Sequence, residues 1–124
     1  MELSKFLKSV IDQDQCPVVI CNLDHEIIYR NPAAATRYEK RDGAGLLGRS
    51  LLGCHNDKSV EKIHKVVGWF QESKDHNKIY TFHDEKENKD VYMVALRQED
   101  GTLIGYYEKH EYRNAERAEL YRFK

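Results

Sequence analysis

Cysteine and histidine residues are the most reactive side chains in the sequence, and four of them form two short pairs. Cys21 lies four residues before His25, and Cys54 is followed directly by His55. Thiolate and imidazole groups bind zinc, but structural zinc sites usually contain closely spaced pairs such as CxxC. The sequence has no CxxC pair, and nothing in the spacing brings the two Cys/His pairs together. We therefore predict no structural metal site and reduced thiols for the three cysteines.

The Cys54-His55 step has two chemical interpretations. A nearby imidazolium lowers the pKa of a thiol and makes it redox-sensitive, whereas a thiol packed against a helix behaves as a small apolar group. Packing is favoured, because no resolving cysteine lies nearby in the sequence. The sequence also lacks a nucleophile elbow, a glycine-rich phosphate loop and an HExxH helix, so we predict no enzymatic activity.

The N-terminal segment, residues 1–15, has the periodicity of an amphipathic helix. Apolar side chains recur at i, i+3, i+4, i+7 and i+8, and the opposite face is charged. A helix of this length is marginal alone, so the apolar stripe must dock on the sheet or on a second copy of the chain. We predict that it forms a homodimer interface consisting of Leu3, Phe6, Leu7, Val10 and Ile11.

Strand and helix patterns alternate along the rest of the chain. β-Branched and aromatic runs bounded by turn residues predict five strands, and the turn at 99–101 (EDG) predicts a hairpin before the last one. Pro32 suits a first helical position, and a second apolar stripe predicts a longer helix. The predicted strands are 18–21, 26–30, 79–83, 91–97 and 103–110; the other predicted helices are 33–38, 57–73 and 112–124, with a loop at 40–48 and one helical turn at 50–53.

These elements predict the α+β class. Hairpin connections make the sheet antiparallel, and the helices are grouped apart from the strands. A chain this short cannot cover both faces of five strands with helices, so we expect the central helices on one face. We divide the chain into an N-terminal helix at 1–15, a domain at 16–111 and a helical tail at 112–124.

Length and charge exclude several classes of protein. The 124 residues suffice for one domain without disulfide bonds, and 20 basic against 21 acidic residues give a net charge of −1. Surfaces that bind nucleic acid need a basic excess. The apolar run at 16–21 is far shorter than the roughly 20 residues of a membrane span, and the N-terminus has no signal-peptide pattern. We expect a cytoplasmic protein that binds neither nucleic acid nor membranes.

Four segments together resemble the PAS domain family. Residues 24–34 (DHEIIYRNPAA) are similar to the family's turn, strand and asparagine-bearing entry to a helix, and residues 47–50 (LGRS) are similar to its Gly-Arg step. Residues 97–105 (RQEDGTLIG) resemble its last hairpin. Residues 48–60 (GRSLLGCHNDKSV) are similar to a bacterial PAS subgroup with a Cys-His step before Lys-Ser-Val. The resemblance covers nearly the whole chain.

The resemblance implies a five-stranded antiparallel sheet with helices over one face and a pocket between them. PAS domains act as sensors or dimerisation modules, and their ligands include haem, flavin and small metabolites. In the blue-light subclass a reactive cysteine stands three residues after the glycine that corresponds to Gly48. Leu51 occupies that position, so we predict no cysteinyl-flavin photochemistry, while ordinary flavin binding stays open. A haem would take its axial ligand from the long helix, which points first to His64 and then to His55.

The expected function is a signal-sensing PAS module that binds a small ligand or cofactor of unknown identity. It would form a homodimer and pass its signal to a downstream signalling protein. The two alternatives are a ligand-free dimerisation module and a haem-based redox or gas sensor. In a ligand-free module, His64 would be an ordinary partly buried or surface histidine. The residues predicted to bind ligand are Tyr38, Cys54, His55, Ile63, His64 and Val67, and a strand tyrosine or Arg97 is a further candidate for hydrogen-bonding a polar ligand.

Overall fold

Five strands and three helices form the part of the chain that the computed structural model describes, residues 2–37 and 57–122. The strands are β1 (Val19–Asn22), β2 (Ile27–Arg30), β3 (Lys78–Asp84), β4 (Lys89–Arg97) and β5 (Leu103–Tyr112); the helices are α1 (Leu3–Gln13), α2 (Pro32–Arg37) and α3 (Asp57–Glu72). This order confirms the α+β prediction. The loop predicted at 40–48 and the helical turn predicted at 50–53 lie outside the described residues.

All five strands belong to one antiparallel sheet with the order β2-β1-β5-β4-β3. The central strand β5 pairs with β1 on one side and β4 on the other, so that Tyr106 lies opposite both Cys21 and Ala95. Gly105 is required at this junction, because a Cβ built on it would overlap the carbonyl oxygen of Cys21. Strands β1 and β5, which are far apart in sequence, therefore pair through a close backbone contact between Gly105 and Cys21 that only glycine permits.

The hydrophobic core lies between helix α3 and one face of the sheet, called here the inner face. The helix turns its apolar stripe to the sheet, and Phe70 is fully buried. Burial of these side chains away from water is the main stabilising contribution to such a layer. The buried cluster consists of Cys21, Ile27, Ile63, Val66, Val67, Phe70, Met93 and Tyr106.

Arg97 joins the end of helix α3 to the β4–β5 hairpin. Its Nη2 donates to the carbonyl oxygens of Phe70 (2.7 Å), Ser73 (3.0 Å) and His76 (3.1 Å), and its Nη1 donates to that of Gly101 (3.0 Å). The last carbonyls of a helix lack intrahelical partners, and a cation stabilises them. The guanidinium group of Arg97, a candidate for binding a polar ligand on sequence grounds, thus serves as an internal helix cap.

Asn31 fastens helix α1 to the rest of the fold. Its side chain is fully buried, and its Oδ1 accepts hydrogen bonds from the backbone N–H groups of Val18 and Ala34, both at 2.9 Å. The Ala34 bond caps the N-terminus of α2. Its Nδ2 donates to three carbonyl oxygens at or after the end of α1, those of Ile11 (3.0 Å), Asp14 (3.2 Å) and Cys16 (3.0 Å). One amide therefore ties together α1, β1 and α2.

Helix α1 leaves most of its apolar stripe in solvent. Leu3 and Phe6 are each 58 % exposed, Leu7 is 54 % exposed and Val10 is 69 % exposed, whereas Ile11 is half-buried. The helix is thus amphipathic as predicted, but the sheet does not cover its apolar face. None of the helices in the described parts of the chain is long and apolar enough to cross a bilayer.

The carboxylate of Glu87 links the β3–β4 turn to helix α2 and pairs with a nearly buried lysine. Lys89 is 2 % exposed, and its Nζ lies 2.9 Å from Oε2 of Glu87. Arg37 of α2 contacts the same carboxylate oxygen at 2.5 Å. The hydrogen bond from Arg37, followed by that from Lys89, lowers the pKa of Glu87 to about 2. The carboxylate is therefore charged at neutral pH, as a buried ammonium group requires of its partner.

The prediction of a C-terminal helix over 112–124 is wrong for the tail residues that the structure describes. Tyr112 is the last residue of β5, and residues 113–122 are irregular and exposed, with Leu120 82 % and Tyr121 74 % accessible to solvent. Helix propensity alone does not stabilise a short helix in water, and the side chains of residues 113–122 are exposed to solvent.

Candidate functional site

Four side chains form a polar corner of the core, where the β1–β2 turn meets helix α3. Nδ1 of His25 lies 2.8 Å from the hydroxyl oxygen of Tyr106. His64 of α3 meets the His25 ring edge to face, with ring centroids 5.0 Å apart and an angle of 82° between the planes. Cys21 lies opposite Tyr106 in the register of β1 and β5 and is buried. We call His25, His64, Tyr106 and Cys21 the polar corner.

The β1–β2 turn positions His25 through a local hydrogen-bond network. Oδ1 of Asn22 accepts from the backbone N–H groups of Asp24 and Glu26, both at 3.0 Å, and the backbone N–H of His25 donates to the Asn22 carbonyl at 3.0 Å. His25 itself has a φ of 63°, in the left-handed region that histidine enters more readily than most residues. This turn holds the imidazole over strand β5, 81 residues away in sequence.

Burial favours the neutral forms of Cys21, Tyr106 and His25. It raises the pKa of the Cys21 thiol to about 11 and, followed by the effect of Cys21, raises the pKa of Tyr106 well above its ordinary value. Burial, followed by the proximity of His64, lowers the pKa of His25 from its ordinary value near 6.5. At neutral pH the corner therefore presents a thiol, a phenol and a neutral imidazole.

These protonation states limit the chemistry of the corner. A thiol with a raised pKa is a poor nucleophile, because the thiolate is the reactive form. The Tyr106 phenol and the neutral imidazole of His25, by contrast, can each donate and accept hydrogen bonds. The arrangement can recognise a polar group of a ligand whose apolar part contacts the core.

The structure separates the residues that the sequence predicted to bind ligand. His64 is exposed on α3 and contacts His25, whereas Ile63 and Val67 are 7 % and 8 % exposed and belong to the core cluster. The other three candidates, Tyr38, Cys54 and His55, lie outside the described residues. Their assignment to a ligand pocket stays a prediction, as does that of His64, Ile63 and Val67.

Sequence reasoning included Tyr106 among several strand tyrosines without singling it out, and it missed His25 as a ligand-binding candidate. Tyr106 and Tyr107 are adjacent on β5, so alternation places one on each face without indicating which is inward. The register resolves this, because Tyr106 lies opposite the buried Cys21. His25 occurs in a turn, and only its contact with Tyr106 reveals its role. The sequence signal for His25 was the four-residue spacing from Cys21, interpreted only as a metal pair.

The opposite, outer face of the sheet has a groove beneath helix α1. Its volume is about 300 Å³, and its polar lining includes Asp14, Cys16, Lys109 and His110. The apolar part of its lining is formed by Val10, Ile11, Pro17, Val18, Ile20, Leu96 and Tyr107. Since Val10 and Ile11 also belong to the apolar stripe of α1, the stripe and the groove form one continuous surface.

Solved structures of similar fold come from several organisms. The C-terminal domain of a Streptococcus mutans protein is 24 % identical, with a TM-score of 0.66 and coverage of 87 % of this chain and 83 % of that one. A Colwellia psychrerythraea PAS domain is 16 % identical, with a TM-score of 0.65 and coverage of 90 % and 98 %. The PAS domain of BvgS from Bordetella pertussis is 13 % identical, with a TM-score of 0.58 and coverage of 91 % and 88 %. No family model and no curated protein matches the sequence.

Proposed function

We propose that this chain, which has the fold of a PAS domain, is a sensory module that binds a small ligand between the inner face of the sheet and helix α3. The observation that carries the proposal is the polar corner. Two imidazoles and a phenol converge at the edge of an apolar core, on elements that come from three separate parts of the chain. Binding sites for small molecules typically combine an apolar wall with a few convergent polar groups.

Strand β5 offers a direct route from the ligand to the outer face. Tyr106 faces the polar corner, and its neighbour Tyr107 lines the groove beneath α1. A ligand that shifts Tyr106 would also shift Tyr107, because successive side chains of a strand share one backbone but point to opposite faces. The ligand would then favour one position of α1 over another, which is a population shift between two arrangements.

The exposed stripe of α1 provides the output of this module. Four apolar side chains more than half exposed on one helix face form the kind of patch that marks an interface, and we assign it to a second copy of the chain. Leu7→Glu and Val10→Glu should each shift the protein toward monomer in light scattering. The matched control is Lys5→Glu on the charged face, where Lys5 pairs with Glu2 at 3.3 Å. An unchanged mass for both stripe variants, with intact circular dichroism, would remove the homodimer and leave the stripe to a downstream signalling protein.

Native mass spectrometry of the chain purified from cells tests the ligand directly. A small molecule should accompany the protein at up to one per chain and be depleted in His64→Ala and Tyr106→Phe, whereas His83→Ala on the outer face should retain it. A haem would be recognised by its mass and by a Soret absorption band. A bare chain mass, with no shift after incubation with hemin, flavin mononucleotide or cell extract, would refute ligand sensing. The alternative, a ligand-free dimerisation module, would then account for the exposed stripe.

A further inference from the structure

The two histidines of the polar corner have the spacing of metal ligands. Zinc–nitrogen bonds of about 2.0–2.1 Å in a tetrahedral arrangement place the centroids of two coordinating imidazoles about 5 Å apart. The centroids of His25 and His64 are 5.0 Å apart. Two imidazoles on opposite sides of a haem iron would need a wider separation of roughly 6 Å, because the iron then lies on the line between them. The observed spacing suits one small cation shared by both rings.

Hydrogen bonding in the corner leaves the appropriate nitrogen of His25 available. Its Nδ1 is engaged by the Tyr106 hydroxyl at 2.8 Å, and no other side-chain hydrogen bond to this imidazole occurs among the described residues. Nε2 is thus the nitrogen that can bind a cation. Metal-bound histidines usually have their second ring nitrogen hydrogen-bonded in this way, which fixes the ring orientation. Tyr106 would act here as a positioning residue.

We infer that His25 and His64 bind a divalent transition-metal ion of the zinc class, which bridges the β1–β2 turn and helix α3. His64 is exposed, so its ring can turn to direct a nitrogen at the ion. The described parts of the chain contain no cluster of three or more histidine, cysteine or acidic residues suited to a metal. The protein side chains described therefore supply two ligands, and water or an incoming small molecule completes the coordination.

The Cys21 thiol is not one of these ligands. It is only 1 % exposed and lies on β1 opposite Tyr106, within the core cluster. A zinc ion bound by the two imidazoles alone is exchangeable, unlike the closed four-ligand sites that hold structural zinc. The inference is independent of the proposed small-molecule ligand, because it requires only the two imidazoles and their spacing.

Isothermal titration of the full chain with zinc chloride at pH 7.5 tests the site. The parent should bind Zn²⁺ saturably at one site per chain, and His64→Gln or His25→Asn should weaken binding at least tenfold. Asparagine is chosen because it tolerates the left-handed backbone of position 25. Tyr106→Phe, which keeps both imidazoles, should weaken binding by roughly tenfold through loss of the positioning hydrogen bond.

The matched control is His83→Gln. His83 pairs with the carboxylate of Asp90 at 2.8 Å. Because His83 lies on the outer face, its replacement should not affect the titration. Circular dichroism checks that each variant is folded. Zinc affinity equal to that of the parent in both folded variants of His25 and His64 would overturn the inference, as would loss of binding in His83→Gln. Neither result would bear on the proposed small-molecule ligand, which native mass spectrometry tests separately.

Discussion

Replacing Asn31 by alanine should destabilise the fold and detach helix α1. The side chain is fully buried and makes five hydrogen bonds to backbone groups on three elements. Loss of an N-cap costs about 1 kcal/mol. A buried backbone group left without a partner costs about 1–3 kcal/mol, although water will reach some of the groups beside the exposed α1. We therefore expect the free energy of unfolding to fall by about 3 kcal/mol. This value is the sum of the cost of the lost N-cap and the cost of one buried backbone group left without a hydrogen-bond partner.

Urea unfolding followed by tryptophan fluorescence measures this loss, because Trp69 is the chain's single tryptophan and lies on α3. A decrease of 3 kcal/mol corresponds to a fall of roughly 10 °C in melting temperature for a domain of this size. Asn114→Ala in the exposed tail is the control and should change stability by less than about 0.5 kcal/mol. A decrease below about 1 kcal/mol for Asn31→Ala would refute the hydrogen-bond accounting.

Asn31→Asp separates the two functions of this amide. The carboxylate keeps an oxygen that can accept from Val18 and Ala34, but it cannot donate to the three carbonyls around the end of α1. Hydrogen–deuterium exchange should therefore show faster exchange in α1 and retained protection at the Ala34 amide. Equal exchange in α1 for the parent and this variant would show that Asn31 does not hold the helix.

Three further predictions concern the end of α3, the centre of the sheet and the β3–β4 turn. Arg97→Ala should lower the free energy of unfolding by about 3 kcal/mol in urea, since three carbonyls at and after the end of α3 lose a charged donor. Gly105→Ala should disrupt β1–β5 pairing and its cross-strand nuclear Overhauser effects. Gly68→Ala, where an added Cβ contacts nothing within 4 Å, should instead stabilise α3 by up to about 1 kcal/mol. A Gly105→Ala variant more stable than Gly68→Ala would contradict the structure. Glu87 has its pKa lowered to about 2 from 4.5, chiefly by Arg37, so its stabilisation is present above pH 4.5 and lost as the pH falls toward 2. Melting temperatures across this range should therefore depend less on pH in Glu87→Gln, and an unchanged pH profile would exclude the ion pair.

Local sequence patterns suffice for most of the secondary structure. The apolar stripe of α1 and the Asn31-Pro32 start of α2 depend on spacing and backbone restrictions that neighbouring residues impose. The tail shows where propensity fails, because its described residues are exposed to solvent, with Leu120 82 % accessible. The helix that its composition favours is accordingly absent from residues 113–122.

The polar corner depends on long-range contacts that no local pattern reveals. His25 reaches Tyr106 across 81 residues, and the inward direction of that tyrosine follows from the β1–β5 register. Arg97 illustrates the same difficulty, because its role as a helix cap depends on the hairpin folding back onto the end of α3. The sequence was enough to select His64 as a functional candidate. It was not enough to identify His25 as the partner of His64.

Two-dimensional ¹H–¹⁵N nuclear magnetic resonance tests the central claim, that a ligand on the inner face acts on helix α1. The chain purified from cells would be compared with the same chain after unfolding in urea, dialysis and refolding, which removes small molecules bound to the protein. The account predicts amide shift changes at the β1–β2 turn and in α3 around His64, together with changes in α1 on the outer face. Superimposable spectra of the two samples would contradict it.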